Sequence, residues 1–432
     1  MTNKAQSIDL FSFRTPQMRA FHLSWFAFFV CFFAWFACAP LMPVIKGDLH
    51  LSPEQIANIN IAAVAITILV RLVVGPLCDR FGPRKTYTAL LLLGAIPVFG
   101  VGLSQSYESF LMFRLGIGAI GASFVITQYH TSVMFAPKIV GTANAASAGW
   151  GNAGGGTAQA VMPLLLGALV MLGVSESFGW RLALMVPGAL MLVAGAAYWF
   201  LAQDCPEGNY AELRAAGKTV AGSGKGGWAS FKAACGSHRA WLLFVTYGAC
   251  FGIELFIHNM AASYYVDHYG LSLGKAGMAV GAFGLLALFA RALGGWLSDK
   301  AAARGDLNSR VVLLFALMLG EGLGLLWFAN AGAVPTAIFA MLCFGLFTHM
   351  ACGATYALVP FVEPKALGGV AGIVGAGGNL GGVLAGFLMK GTGDAHRTLV
   401  ILSVLVAAAS LCALAARFTV NATDSAAASA SV

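Results

Sequence analysis

The stretch ILVRLVVGPLCD, residues 68–79, places Arg71 in an apolar run with no acid before Asp79. A guanidinium at bilayer depth costs about 2.5 to 3.5 kcal/mol on insertion scales, so it needs a compensating partner. The arrangement returns 220 positions later in RALGGWLSD, where Arg291, Gly295 and Asp299 match Arg71, Gly75 and Asp79. Asn152 in GWGNAGG is answered in the same way by Asn379 in AGGNLGG, 227 positions on. Each arginine stands two helical turns before its aspartate, roughly 12 Å, which is too far for a comfortable ion pair. Two guanidiniums brought to one cavity repel, and a planar oxyanion accepting bidentate hydrogen bonds from both relieves repulsion and desolvation together. The competing reading has each arginine snorkel to the membrane surface or pair with an acid on another helix. The paired placement favours the anion.

The elements that position these residues are membrane helices. The 432 residues are 59% hydrophobic and 10% charged, against roughly 45 to 50% and about 25% in soluble domains. Apolar stretches long enough to cross a ~30 Å hydrocarbon core recur along the chain. They cover 21–43, 54–77, 86–104, 109–132, 141–172 and 181–202, then 240–264, 275–297, 311–330, 334–357, 366–390 and 397–417. The expected fold is all-α: twelve transmembrane helices in two six-helix bundles related by a pseudo-twofold axis. Two motif pairs at nearly one offset indicate duplication of a six-span unit, the parallel-repeat plan of transporters that bind substrate near the midplane. The expected division is an N-terminal bundle, 1–203, a polar cytoplasmic linker, 204–239, a C-terminal bundle, 240–418, and a cytoplasmic tail, 419–432.

The net charge of +8 does not point to nucleic acid, because its location follows the membrane. With a cytoplasmic N-terminus, one side receives Lys4, Arg14, Arg19, Arg80, Arg84, Lys85, Lys138, Arg214, Lys218, Lys225, Lys232, Arg239, Lys300, Arg304, Arg310, Lys365 and Arg417, and the other only Lys46, Arg181, Lys275, Lys390 and Arg397. By the positive-inside rule both termini are cytoplasmic. No cleavable signal is expected, since no short apolar segment with a cleavage site precedes the first span. The nine cysteines lack paired metal-ligand spacing and read as small apolar residues. Neither a nucleophile with its base nor an HExxH set is present, so no enzyme, metal or cofactor is expected.

The residues also carry a resemblance. GPLCDRFGPRK, residues 75–85, matches the loop signature GxLxDRxGxRK of the major facilitator superfamily, with Gly75, Asp79, Arg80, Gly82 and Arg84 in its positions. RLGIGAIGA from Arg114 resembles that superfamily's fourth-helix RxxxG motif. AGWGNAGGG and GAGGNLGG resemble the two nitrate signatures of the nitrate/nitrite porter family, and FFVCFFAWFACAPLMPVI and ACGATYALVPFV resemble its spans one and ten. YGACFGIELFIHN in span seven is similar to the high-affinity branch found in plants, algae and bacteria. Nitrate and nitrite then become the expected oxyanions.

The resemblance implies aromatic walls at Phe124 and Tyr247, with Phe251 one turn beyond. It implies that Glu254 matches a glutamate of the high-affinity branch, able to carry a coupling proton or to stabilise an arginine. Asn152 and Asn379 are read as anion donors, though each amide can instead bond a neighbouring helix. Gly151 and Gly155 in span five and Gly378 and Gly382 in span eleven are read as helix-packing and gating positions, the latter two within a stripe that also holds Gly368, Gly372 and Gly386. Glu321 has no match in the family. His130, His258 and His349 lie toward span ends and are expected to be solvated. The function implied is nitrate transport, with nitrite, by alternating access in the cytoplasmic membrane, by a protein working as a monomer in the lipid bilayer. Proton symport is preferred, and electroneutral nitrate/nitrite exchange is the alternative. A channel would not require the duplicated loop signature.

Overall fold

The computed structural model describes residues 4–136, 139–218, 227–304, 306–363 and 366–418. Lys138, Lys225, Lys365, linker positions 219–226 and the tail 419–432 lie outside the described residues, as do the side chain of Asp79 and the surroundings of Gly368.

Helix α1 (Pro16–Phe36), a 3-10 turn (Ala39–Leu41) and α2 (Met42–Asp48) make the first span. Helices α3 (Pro53–Phe81) and α4 (Pro83–Gly102) follow. The fourth span is broken: α5 (Tyr107–Gly118) passes through a 3-10 turn (Ala119–Ala122) into α6 (Ser123–Met134). Helices α7 (Val140–Met171) and α8 (Glu176–Leu201) complete the first half, and short α9 (Tyr210–Ala215) and α10 (Gly227–Cys235) lie between the halves. In the second half α11 (His238–Tyr269) precedes an eighth span divided into α12 (Leu273–Leu285) and α13 (Ala287–Arg304). Helices α14 (Leu307–Ala329), α15 (Val334–Val362), α16 (Leu367–Thr392) and α17 (Ala395–Ala415) follow. Among the described residues twelve helices are long and apolar enough to cross a membrane, the number expected.

Local chemistry starts these helices where they start. Ser52 with Gln55 forms a capping box before Pro53, and Ser106 with Ser109 and Asp306 with Ser309 do the same for α5 and α14. Such caps satisfy backbone donors that the first helical turn leaves without partners. Outward positions carry Leu93, Ile96, Phe200 and Leu405, which lipid tails accept.

The chain forms two compact units. The first is Met1–Lys225 with Leu255–Leu288 and Gly382–Ala395. In it α7 packs on α1, where a Cβ at Gly154 would collide with the carbonyl of Phe29, and on α12, where Gly156 faces the backbone of Gly284. At one end of this unit Lys46 bridges Asp267 at 2.6 Å and Lys390 bridges Glu54 at 3.1 Å. The second unit is Gly226–Glu254, Phe289–Gly381 and His396–Val432. In it α16 packs on α11, with Gly377 against the carbonyl of Phe244 and Gly381 against that of Gly248. Helices α13 and α15 also meet backbone to backbone, since a Cβ at Gly353 would strike the carbonyl of Arg291.

Candidate functional site

The sequence-selected residues fall into two half-sites, one in each unit. In the first, Arg71 on α3 donates through Nη2 to the carbonyl of Gly121 at 3.4 Å. Its guanidinium stands 5.7 Å from the ring centre of Phe124 on α6, a cation–π distance. Phe124 packs in turn on Phe28 of α1, their ring centres 5.7 Å apart. The 3-10 turn Ala119–Ala122 aims the Gly121 carbonyl at Arg71, so the break in span four is part of the half-site.

In the second, Arg291 on α13 stands 5.4 Å from the ring centre of Phe251 on α11. Phe251 stacks on Tyr247 at 5.1 Å, and Tyr247 meets Tyr356 edge-on at 5.0 Å. Each arginine therefore has a phenylalanine ring beside it, which orients the fork without supplying a charge. The halves differ in one respect. Arg291 Nη2 lies 2.5 Å from Glu254 Oε2, and the two side chains are 9% and 3% exposed. Arg291 is thus paired with an acid on another helix, the reading set aside in favour of the anion. The same carboxylate oxygen lies 3.4 Å from His349 Nδ1 and 3.9 Å from the thiol of Cys352.

The two asparagines occupy matching states. Asn152 donates through Nδ2 to the Ala148 carbonyl at 2.9 Å, and Asn379 to that of Gly375 at 3.3 Å. Both are buried, and neither amide oxygen has a partner among the described residues. An amide carries two N–H donors, so each keeps one beyond its bond to its own helix.

The glycines pack less evenly than the sequence stripe implies. A Cβ at Gly151 would enter the Phe28 ring, one at Gly155 would come 3.0 Å from Phe36, and one at Gly378 would come 2.8 Å from Tyr247. Gly382 is buried, whereas Gly372 faces open space. Within α7 and α16 the closest backbone approaches are at Gly154, Gly377 and Gly381, one residue from the expected face. A helix turns 100° per residue, so Gly377 and Gly381 meet α11 backbone while Gly378 meets the rings beside Arg291.

The loop signature has a structural account. Gly82 takes φ +87°, and a Cβ there would run into the Asp204 carboxylate. That carboxylate accepts from the backbone N–H of Arg84 at 2.8 Å and of Tyr210 at 2.9 Å, capping α4 and α9 together. Burial lifts the Asp204 carboxyl above the usual range, against the pull of these two donors and of Arg84. Arg84 also donates to the Trp199 carbonyl at 3.2 Å, and Arg80 lies over Phe81. In the second unit Asp299 pairs with Arg310 at 2.6 Å. Gly75 faces open space.

The histidines correct the sequence reading. His130, His258 and His349 are all buried, not solvated. His130 bonds Tyr198 and the Gln203 carbonyl, His258 lies against Phe36, and His349 faces Glu254. The helices of His258 and His349 run on to Tyr269 and Val362, beyond the apolar windows read from sequence, whereas His130 stays near the end of its helix and is buried by Tyr198 and Gln203. Glu321 is wholly buried, with the Thr348 hydroxyl beside its carboxyl. Sequence reasoning gave Arg114 no role, yet its side chain is wholly buried as well. The RxxxG motif was the available signal.

Residues 24–386 match the Major Facilitator Superfamily. The chain is 37% identical to the high affinity nitrate transporter 2.5 of Arabidopsis thaliana, over 95% of this chain and 81% of that one. It is 38% identical to nitrate transporter 2.1 of Chlamydomonas reinhardtii, over 88% and 70%. It is 31% identical to the nitrate/nitrite transporter NrtP of Nostoc punctiforme, over 87% of each. Among solved structures, a bacterial homolog of the human lysosomal transporter Spinster superposes with a TM-score of 0.69 at 15% identity, covering 93% of this chain and 97% of that one. The E. coli fucose:proton symporter gives 0.60 at 16%, covering 94% and 100%. The chain belongs to the Major Facilitator Superfamily, in the branch of the high-affinity nitrate transporters. The relatives are named as transporters, not enzymes.

Proposed function

We propose that this protein carries nitrate, and nitrite as a second substrate, across the cytoplasmic membrane by alternating access, as a nitrate/proton symporter. The observation that carries the reading is the pair of repeat-equivalent arginines, Arg71 and Arg291, each beside a phenylalanine ring and the second held by Glu254. Both arginines bind the anion. Asn152 and Asn379 donate their remaining amide N–H groups, Phe124 and Tyr247 wall the ion, and the glycines of α7 and α16 let helices slide at close approach. The two six-helix bundles, 1–203 and 240–418, are the moving bodies of a monomer, and both termini are cytoplasmic.

Coupling follows from the Arg291–Glu254 pair. Nitrate competes with the carboxylate for the same guanidinium fork. Once nitrate holds Arg291, Glu254 is a buried charge without its counterion, and taking up a proton removes that cost. Proton and anion then travel together. Uptake against a negative-inside potential costs about 2.3 kcal/mol per charge per 100 mV, which two or more protons per nitrate supply. His349, 3.4 Å from the same carboxylate, is placed to serve as a second proton carrier.

The same pair supports a second reading. If Glu254 stays ionised as a permanent counterion to Arg291, it carries no proton, and the carrier exchanges nitrate for nitrite without net charge. Uptake into proteoliposomes separates the two: a proton gradient drives accumulation by a symporter, and internal nitrite drives it in an exchanger. Nitrate uptake driven by neither would reject both.

A further inference from the structure

Arg114 is a cation buried among neutral groups. Its Nη1 donates to the Trp35 carbonyl at 2.9 Å and its Nη2 to the Asn259 amide oxygen at 3.3 Å. The Cys38 thiol lies against it. Its Nε has no partner, and no carboxylate lies within ion-pair distance among the described residues. Buried charges are ordinarily paired, because neutral dipoles return only part of the lost hydration. Asn259 is held in place for this contact, since its Nδ2 donates to the Leu255 carbonyl at 2.8 Å and turns the oxygen toward the arginine.

The position of Arg114 gives the vacancy of charge a meaning. It precedes Gly121, whose carbonyl holds Arg71, by seven residues on the same span, roughly 10 Å of helix. Between them stands Trp35. Its indole packs so closely on Gly121 that a Cβ there would come within 2.6 Å, and its Nε1 donates to the Ala63 carbonyl at 2.6 Å. The order along span four is therefore Arg114, the Trp35 ring, Arg71. The orientation proposed above puts Arg114 on the outer side, toward the end closed by Lys46–Asp267 and Lys390–Glu54.

We propose that Arg114 is an outer anion station, occupied by a small monovalent oxyanion before the anion reaches Arg71. When α11 withdraws, the guanidinium loses the Asn259 oxygen and takes an anion in its place. When α11 returns, Asn259 reclaims the fork and the anion passes Trp35 inward. The station rests on the carrier reading, but it is tested without transport.

Cys38, buried against Arg114, reports the opening. In right-side-out vesicles a membrane-impermeant methanethiosulfonate is applied and modification of Cys38 is read by peptide mass spectrometry. The background is Arg71→Lys, and nitrate is compared with an equal concentration of gluconate so that screening is matched. The expected result is that nitrate slows Cys38 modification at least threefold, and that adding Arg114→Gln removes the protection. Asn259→Ala, which leaves the arginine in place, should speed modification and keep the protection by nitrate. Equal rates with and without nitrate, protection that survives Arg114→Gln, or a Cys38 that never reacts would overturn the station. Normal uptake by Arg71→Lys would instead reject the central site, and the Cys38 rates would still decide the outer one.

Discussion

Nη2 of Arg291 and Oε2 of Glu254 stand 2.5 Å apart and join α13 to α11 at a point where both side chains are almost wholly buried. A pair of this kind is expensive to dehydrate and weak evidence for stability, but it makes one guanidinium fork available to two competing anions. One is fixed to the protein. The other is the substrate proposed above.

Replacing either arginine by lysine tests the fork. Lysine keeps the charge but offers a compact ammonium without planar bidentate geometry. Arg71→Lys and Arg291→Lys should each weaken nitrate binding at least tenfold, about 1.4 kcal/mol, with little change in thermal stability. Binding isotherms and melting curves in detergent check this together. Wild-type affinity in either variant would show that its arginine does not hold the anion.

Glycine substitutions should separate packing from function. Gly154→Ala and Gly381→Ala push a methyl group into a carbonyl of the neighbouring helix and should lower stability, overpacking of this kind costing about 1 to 3 kcal/mol. Gly378→Ala instead displaces the rings of Phe251 and Tyr247 beside Arg291, and should raise the KM for nitrate more than it lowers the melting temperature. Gly155→Ala, which meets the Phe36 ring at 3.0 Å, should be the mildest of the four. Melting curves beside uptake kinetics would show the ordering.

The Asp204 cap predicts a structural cost and a pH slope. Asp204→Ala strands the backbone donors of Arg84 and Tyr210, at about 1 to 3 kcal/mol for each buried donor left unmade. Because burial lifts this carboxyl above its unfolded value, the folded chain holds the proton more tightly than the unfolded chain. The group's contribution is therefore fully present below the unfolded pKa and is lost as pH rises through the folded one. Asp204→Asn cannot titrate, so its melting temperature should fall less than that of the wild type between pH 4 and pH 7. Parallel slopes would contradict the raised carboxyl.

The spans and the two arginines were legible because hydropathy and an internal repeat are properties of the chain alone. The offset of Arg71 from Arg291 needs no coordinates. Other features depend on what a side chain meets. The 3-10 turn at Ala119–Ala122 interrupts a span that is apolar throughout, so no change in composition marks it. Phe251 is marked in the sequence only as one turn beyond Tyr247, and its place beside Arg291 appears once α11 and α13 are packed. Asp204 caps α4 from 120 positions away. The buried state of His349 and Arg114 likewise follows from neighbours distant in sequence.

Glu254 decides the coupling mode. Glu254→Gln removes the proton acceptor while keeping the shape and an oxygen that Arg291 can donate to. In a symporter it should abolish nitrate accumulation driven by a pH gradient and spare nitrate/nitrate counterflow, since exchange never requires the empty carrier to return. In an exchanger the wild type already ignores the pH gradient, and the variant changes affinity alone, because a neutral amide competes less well with nitrate for the Arg291 fork. Glu254→Ala serves as the control for folding: both variants leave the buried guanidinium without its charge partner, which costs about 3 to 5 kcal/mol, but Gln keeps an oxygen that Arg291 can donate to, so Ala should lower the melting temperature further than Gln. Full proton-driven accumulation by Glu254→Gln would remove this residue as the essential carrier and direct the same pair of assays to His349, which faces it at 3.4 Å, and to the buried carboxyl of Glu321.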